Sequence, residues 1–156
     1  MSTAPSLQWV WTELSDPRAE PLLAGLNAEY ERRYGPNNEL DAYDASLFVA
    51  PDGAFVVVLA DGRTVAGGGI RRLDAEDAEL KRMWTAPSHR RRGLASAVLT
   101  ELEQAARSRG YRRLVLETGQ AQPEAIALYA TRGYYRISPY GRYRDEPDVV
   151  CFAAEL

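Results

Sequence analysis

The chain has 156 residues, of which 46% are hydrophobic and 26% are charged. This is ordinary globular usage, so a disordered chain is excluded and a single domain over residues 1–156 is expected. One cysteine and one histidine exclude an internal disulfide, a cysteine-clustered metal site and a two-histidine metal site. The net charge of −3 disfavours general nucleic-acid binding. No apolar run approaches the roughly 20 residues of a membrane span, and residues 1–5 lack a secretory signal. We therefore expect a cytoplasmic protein that binds neither nucleic acid nor membrane.

The first half of the chain predicts one helix among four strands. A strand is predicted over 7–11, and a helix runs from the capping segment 15–17 to the breaker at 35–36. Residues 36–47 are polar and rich in Asn and Asp, which indicates a loop or a short helix. Strands are predicted over 54–59 and 64–70 with a hairpin turn at Asp61 and Gly62, and a fourth strand covers 78–85. The three glycines at 67–69 indicate a bulge or a group pressed against the backbone.

The second half of the chain alternates between helices and strands. A loop over 86–93 leads into a helix over 94–109, which ends at Gly110. A strand follows over 114–118, then a helix that opens at residues 122–123 and ends at Gly133. Strands over 134–137 and 149–153 complete the chain. This order predicts a mixed α/β sheet with helices on its faces.

The loop before the long helix is the most informative stretch for function. It carries Arg90, Arg91 and Arg92 directly before Gly93 and a helix start. Unpaired backbone N–H groups at a helix start bind phosphate. Cations are disfavoured at that end of a helix dipole, so three arginines there favour a bound anion over a merely solvated arginine run. A Walker loop is absent because the single lysine lies elsewhere, and the glycines at 67–69 lead into no helix, which excludes a Rossmann fingerprint.

The pattern Arg90-x-x-Gly93-x-Ala95 resembles the coenzyme A loop of the GNAT family of N-acetyltransferases. The context agrees: a strand precedes the loop at the family's spacing, and a helix with Ala125 and Tyr129 follows before Gly133. The resemblance covers about residues 54–137. It implies an α/β (α+β) fold with a mixed, mostly antiparallel sheet, a central splayed parallel strand pair and about four flanking helices.

The resemblance also implies acetyl-CoA as the cofactor and assigns its contacts. The assigned residues are Met83, Trp84, Thr85, Arg90, Arg91, Arg92, Gly93, Leu94, Ala95, Ser96, Gln122, Tyr129 and Arg132. Residues 83–85 match the strand that pairs with the pantetheine arm, and residues 90–96 match the pyrophosphate loop. Gln122 stands where the family usually has asparagine. Arg132 is placed to reach a cofactor phosphate, with a solvated helix end as the alternative.

The mechanism implied is direct attack of an amine on the thioester in a ternary complex. It implies an oxyanion donor on the backbone near Met83 and Tyr129 as the proton donor to the leaving thiolate. Glu79, fourteen residues before Gly93, is the first candidate base. Its alternative is an ion pair with an arginine such as Arg82 or Arg113. Glu117 on the next strand is the second candidate base.

The acceptor is expected to be a primary amine of a small molecule. Tyr34, Glu117, Tyr140 and Arg142 are the candidate acceptor contacts, and Arg142 would suit the carboxylate of an amino acid unless its loop is simply solvated. The alternatives are a non-catalytic acyl-CoA-binding module and an enzyme that acetylates protein lysines or N-termini. Residues 149–152 would pair across a homodimer or form an edge strand.

Overall fold

The computed structural model describes residues 6–37, 39–41 and 43–156, and residues 1–5, where no secretory signal is expected, lie outside it. Within this part of the chain seven strands form one sheet in the order β1-β2-β3-β4-β5-β7-β6. The strands are β1 (Leu7–Trp11), β2 (Ala54–Ala60), β3 (Arg63–Arg72), β4 (Asp77–Thr85), β5 (Arg113–Gly119), β6 (Tyr135–Ile137) and β7 (Val149–Glu155). Neighbouring strands are antiparallel except β4 and β5, which are parallel. The predicted fold is confirmed.

Three α-helices flank the sheet among the described residues, one fewer than expected. They are α1 (Glu20–Tyr34), α2 (Leu94–Ser108) and α3 (Pro123–Thr131). The described residues of the segment after α1 form two short 3-10 turns, Glu39–Asp41 and Ala45–Phe48. Its Asn, Asp and Pro residues compete with helical hydrogen bonding, and Asp44 accepts a bond from the backbone of Ser46 instead. No helix in the described ranges combines the length and apolar character that crossing a bilayer requires.

The sheet has a hydrophobic core on each face. β2 is buried along its whole length, and its side chains alternate between the two cores. Val56 and Val58 pack with α2 and α3 on one face, whereas Phe55 and Val57 pack with α1 on the other. This division places α1 opposite α2 and α3, and the sheet between them carries the site.

The three glycines of β3 produce the predicted bulge beside β4. Register partners run from Lys81 with Gly69 to Trp84 with Gly67, so two β4 residues, Arg82 and Met83, oppose Gly68 alone. Arg82 adopts a left-handed φ of 63° at this point. A Cβ on Gly68 would lie 2.5 Å from the Met83 sulfur and 3.0 Å from Leu102 Cδ1, so a larger residue would require these side chains to shift.

β7 lies inside the sheet, contrary to both expectations for residues 149–152. It pairs with β5 along one edge and with β6 along the other, where Cys151 to Ala153 face Ile137 to Tyr135. The edge strand on this side is therefore β6. The sequence predicts a strand at β6, but a strand of three residues carries no pattern that shows which other strand it pairs with. Its pairing with β7 was therefore missed.

Candidate active site

The parallel strands β4 and β5 part from each other after three pairs. Asp77 to Glu79 face Arg113 to Val115, and no pairing between the two strands continues beyond Glu79. The predicted cofactor residues Met83, Trp84 and Thr85 lie on the parted half of β4. The bulge also removes residues 82 and 83 from regular pairing with β3. Backbone groups of this segment can thus bond to an extended ligand in the gap.

The side chains of the parted segment anchor it to both faces of the sheet. Trp84 packs against α1, where a Cβ on Gly25 would lie 2.3 Å from its indole nitrogen. Met83 packs on the opposite face beside Gly68 and Val98. Because its side chains are fixed in this way, the strand keeps its position without a full ladder to β5.

The loop before α2 has the geometry of an anion site. Gly93, with a φ of 77°, is the N-cap of α2 and makes no side-chain cap. A Cβ on Gly93 would meet nothing within 4 Å, so the space in front of the helix is open. The first-turn N–H groups of residues 94–96 are left unpaired by helix geometry, and buried Leu94 fixes that turn to the core. These donors fit a pyrophosphate.

The three arginines of this loop differ in their contacts. Arg90 pairs with Glu29 of α1 and donates to the Thr85 carbonyl at 3.3 Å, so it joins the loop to both α1 and β4. Arg91 and Arg92 are exposed beside Gly93. Arg91 and Arg92 are therefore better placed than Arg90 to meet an anion.

Arg132 lies at the same end of α2 but already has partners. It donates to Ser96 Oγ, Thr100 Oγ1 and Glu103 Oε1, each at 2.8 Å, and so ties the end of α3 to α2. A phosphate would have to compete with the Glu103 carboxylate for this guanidinium. A cofactor contact by Arg132 stays a prediction.

Tyr129 lies in the core close to the gap. Its ring is 5% exposed and packs against Tyr134 and Phe152 at centroid distances of 5.6 and 6.2 Å. Burial, with a smaller contribution from Tyr30, raises the pKa of Tyr129 well above its ordinary range. The phenol therefore keeps its proton at neutral pH.

Glu79 is fully buried and ion-paired, but not with the arginines expected. It faces Arg71 across the β3–β4 ladder and accepts a bond from its Nε at 2.8 Å. The Tyr140 hydroxyl donates to the second oxygen. Arg113 pairs instead with Asp77 at 2.7 Å, and Arg82 approaches Glu39 at 3.8 Å. Glu79 thus forms the ion pair that was the alternative to a catalytic role, but with Arg71. A role for Glu79 as the base stays a prediction.

A cavity of about 320 Å³ opens beside the parted strands. Its walls come from the end of α1, the segment after it, the middle of β4, the end of β5, the start of α3 and the loop before β7. The lining residues are Tyr30, Tyr34, Asn37, Glu39, Lys81, Glu117, Thr118, Gly119, Gln122, Tyr143, Glu146, Asp148 and Val149. The cavity has the size of a small-molecule site.

Glu117 lines this cavity with a carboxylate that has no side-chain hydrogen bond or ion pair among the described residues. Both of its oxygens are buried without a hydrogen bond, as is the neighbouring Thr118 hydroxyl. Gly141 covers the carboxylate so closely that a Cβ there would lie 1.6 Å from Oε1. Burial raises the pKa of Glu117 and the charge of Glu79 adds to this, whereas the positive charge of Lys81 and the approach of the Tyr143 backbone N–H oppose it. The result is a carboxylate that accepts a proton readily.

The remaining predicted acceptor residues divide into two groups. Tyr34 lines the cavity, and its hydroxyl accepts a bond from Gln122 Nε2 at 2.9 Å. Tyr140 and Arg142 are not among the lining residues: Tyr140 is held by Glu79, and the Arg142 guanidinium lies 5.6 Å from the Tyr143 ring centre.

Several lining residues could not be predicted from the sequence. Glu39 and Tyr143 are 104 positions apart, yet the Tyr143 hydroxyl donates to Glu39. Only the tyrosine-rich composition of the loop before β7 could have suggested an aromatic wall. Among the described residues, no cluster of His, Cys, Asp and Glu is arranged to hold a metal ion.

Known proteins resemble this chain both in sequence and in fold. The model of the acetyltransferase (GNAT) family matches residues 11–134. The uncharacterized N-acetyltransferase YedL of Escherichia coli (strain K12) is 42% identical over 138 residues, which cover 86% of each chain. A GNAT-family acetyltransferase of Staphylococcus aureus Mu50 shares the fold with a TM-score of 0.79 at 16% identity, covering 96% of this chain and 99% of that one. A GNAT-family acetyltransferase of Elizabethkingia anophelis with acetyl-CoA bound has a TM-score of 0.72 at 16% identity, with coverage of 96% and 98%.

Proposed function

This chain belongs to the acetyltransferase (GNAT) family, and we propose that it acetylates a primary amine of a small molecule. Membership makes it an acetyl-CoA-dependent N-acetyltransferase. The observation that carries the proposal is the cavity of about 320 Å³ beside the parted strands, lined by the Glu117 carboxylate, which has no side-chain partner among the described residues. A cavity of this size suits a small acceptor better than a protein segment.

The residues at the start of α2 fit the coenzyme. The open N-terminal turn behind Gly93 would hold the pyrophosphate through backbone N–H groups, with Arg91 and Arg92 beside it. The parted half of β4 offers backbone groups to the extended arm. When bound, acetyl-CoA supplies an acetyl thioester whose C–S bond breaks as the C–N bond to the amine forms.

Glu117 is the base in this proposal. An amine reacts only after it has lost a proton, and burial raises the pKa of the Glu117 carboxyl, which makes it a better proton acceptor than an exposed carboxylate. Glu79 is less suited, because a proton on its carboxylate would have to displace Arg71 or Tyr140. Glu117 takes the amine proton directly or through one water, since Gly141 covers its oxygens.

Two further groups complete the proposed machinery. Tyr129 keeps its phenol proton in the core, and the family resemblance implies that it is the donor to the departing thiolate. The bulge at Arg82 and Met83 frees backbone N–H groups from regular pairing, which suits a donor to a developing oxyanion. Both the Tyr129 phenol and the backbone N–H groups are neutral hydrogen-bond donors before the reaction.

The test is thiol release from acetyl-CoA with a panel of primary amines. We expect release that depends on both the amine and acetyl-CoA. Coenzyme binding by calorimetry without turnover across the panel would instead identify a non-catalytic binding module. Acetylation of peptide lysines at a higher kcat/KM than any small amine would identify a protein acetyltransferase.

The base assignment has its own test in two matched variants. Glu117→Gln should remove the acidic limb of the kcat/KM pH profile, because the titrating base is gone. Glu79→Gln should retain that limb even if turnover falls, because it disturbs an ion pair and not the base. Loss of the limb in the second variant alone would assign the role to Glu79.

A further inference from the structure

The cavity beside the parted strands has an excess of negative charge. Its described lining includes four carboxylates, and Lys81 supplies the positive charge. The four are Glu39, Glu117, Glu146 and Asp148. This distribution is the reverse of what a substrate carboxylate would need.

Lys81 lies closest to Glu39 and also acts on Glu117, so one positive charge faces four carboxylates and the described lining stays negative. The Lys81 ammonium lies 3.4 Å from Glu39 Oε1, 3.9 Å from Glu79 Oε1 and 4.1 Å from the centre of the Tyr43 ring. Burial disfavours its charge, but the carboxylates of Glu79 and Glu39 outweigh burial and raise the pKa of Lys81. The ammonium is therefore fixed in a buried cluster and is poorly placed to bind a ligand.

Asp148, in the loop before β7, lies beside the same face of β5 as the Glu117 side chain. The Asp148 carboxylate lies beside Gly119, where a Cβ would be 3.3 Å from Oδ2 and 2.7 Å from the Tyr34 hydroxyl. Gly119 is two residues after Glu117, so the two positions share a strand face about 7 Å apart. Glu146 is exposed on the same side of the cavity. Within the described ranges, Glu146 and Asp148 form no ion pair.

We propose that the acceptor carries a second cationic group in addition to the amine that is acetylated. This inference rests on the proposed function, because it concerns the substrate of the same site. The reacting amine faces Glu117, whose buried oxygens lack a partner. The second group, an ammonium or a guanidinium on a short flexible chain, lies between Asp148 and Glu146 beside the Tyr34 ring. An amino acid with a free carboxylate is disfavoured by the same charges.

The test uses three acceptors of equal chain length that differ only in the far end. They are 1,4-diaminobutane, butylamine and 4-aminobutanoate, assayed by thiol release at one pH and low salt. We expect kcat/KM for the diamine to exceed that for butylamine about tenfold, which corresponds to about 1.4 kcal/mol. 4-Aminobutanoate should be the poorest acceptor. The preference for the diamine should shrink as salt is added, because salt screens the partly exposed interaction between the second cationic group and the carboxylates.

Two variants connect the preference to the named carboxylates. The double change Glu146→Gln with Asp148→Asn should lower the ratio of diamine to butylamine kcat/KM to about one. Asp145→Gln removes a charge from an exposed position of the same loop that does not line the cavity, so it should leave this ratio unchanged. An unchanged ratio in the double variant would overturn the inference.

The outcomes separate this inference from the proposed function. Turnover of butylamine at or above that of the diamine would refute the second cationic group and leave the acetyltransferase proposal intact. No turnover with any primary amine would refute the proposed function, and the inference with it.

Discussion

Replacing Glu117 by glutamine should make the protein more stable and less active. The carboxylate is buried without a described hydrogen bond, and burial raises its pKa. A buried polar group without a partner costs about 1–3 kcal/mol, and more when it is charged. Glutamine removes the charge but keeps two polar atoms, so we expect a net gain of about 1 kcal/mol. For a chain of this length that gain raises Tm by about 2–4 °C.

The pH dependence of this gain has a defined sign. A carboxyl with a higher pKa in the folded than in the unfolded state binds its proton more tightly when folded. The wild-type protein therefore loses stability as the pH rises from the ordinary carboxyl value through the raised one, and the loss is complete above it. Glu117→Gln lacks this titration, so its Tm advantage should be small at pH 4 and full at pH 8.

The assay is thermal unfolding by circular dichroism at both pH values, with kcat/KM measured in parallel. The activity should fall by about 10²–10⁴ through loss of the base. Glu13→Gln makes the same chemical change at an exposed position and should shift stability by less than about 0.5 kcal/mol. A Glu117→Gln protein that melts below wild type at pH 8, or whose advantage does not depend on pH, would refute the reasoning.

Three other substitutions test the remaining parts of the site. Arg71→Met removes the closest ion-pair partner of buried Glu79 and should lower the free energy of unfolding by about 3 kcal/mol in urea titration; a loss below about 1 kcal/mol would show that Lys81 and Tyr140 together satisfy the carboxylate. Tyr129→Phe keeps the ring packing and should lower kcat about 10²-fold with Tm unchanged; an equal kcat would remove Tyr129 from the mechanism. Gly93→Ala forces a side chain into a φ of 77° and should lower stability by about 1 kcal/mol and weaken coenzyme binding about tenfold by calorimetry; unchanged binding would separate the loop from the coenzyme.

Local sequence patterns predicted the elements because their periods reflect burial. The predicted apolar positions of α2 include Leu94, Val98 and Leu102, and all three are buried. The hydrophobic run at 54–59 forms a strand that is buried throughout. The glycines at 67–69 indicated a bulge, and the register of β3 against β4 contains one. In each case the signal and its structural cause lie within a few residues.

Features that depend on distant partners were not predictable from the sequence. The position of β7 inside the sheet depends on three residues of β6, and the cavity joins Glu39 to Tyr143 across most of the chain. The partner of Glu79 was expected to be Arg82 or Arg113. The ladder between β3 and β4 selects Arg71, because only the register determines which side chains stand opposite each other.

The same register explains why spacing along the chain is a weak guide to the base. Glu79 and Glu117 lie on adjacent strands that part from each other, so a carboxylate on either strand is close to the gap. What separates them is the neighbour on the other side of each strand. β3 presents Arg71 to Glu79, whereas β7 presents Cys151 to Glu117, and a thiol offers neither a positive charge nor a strong donor. Glu117 thus gains no ion pair from its ladder neighbour, and in the proposed reaction it takes the proton that the acceptor amine loses.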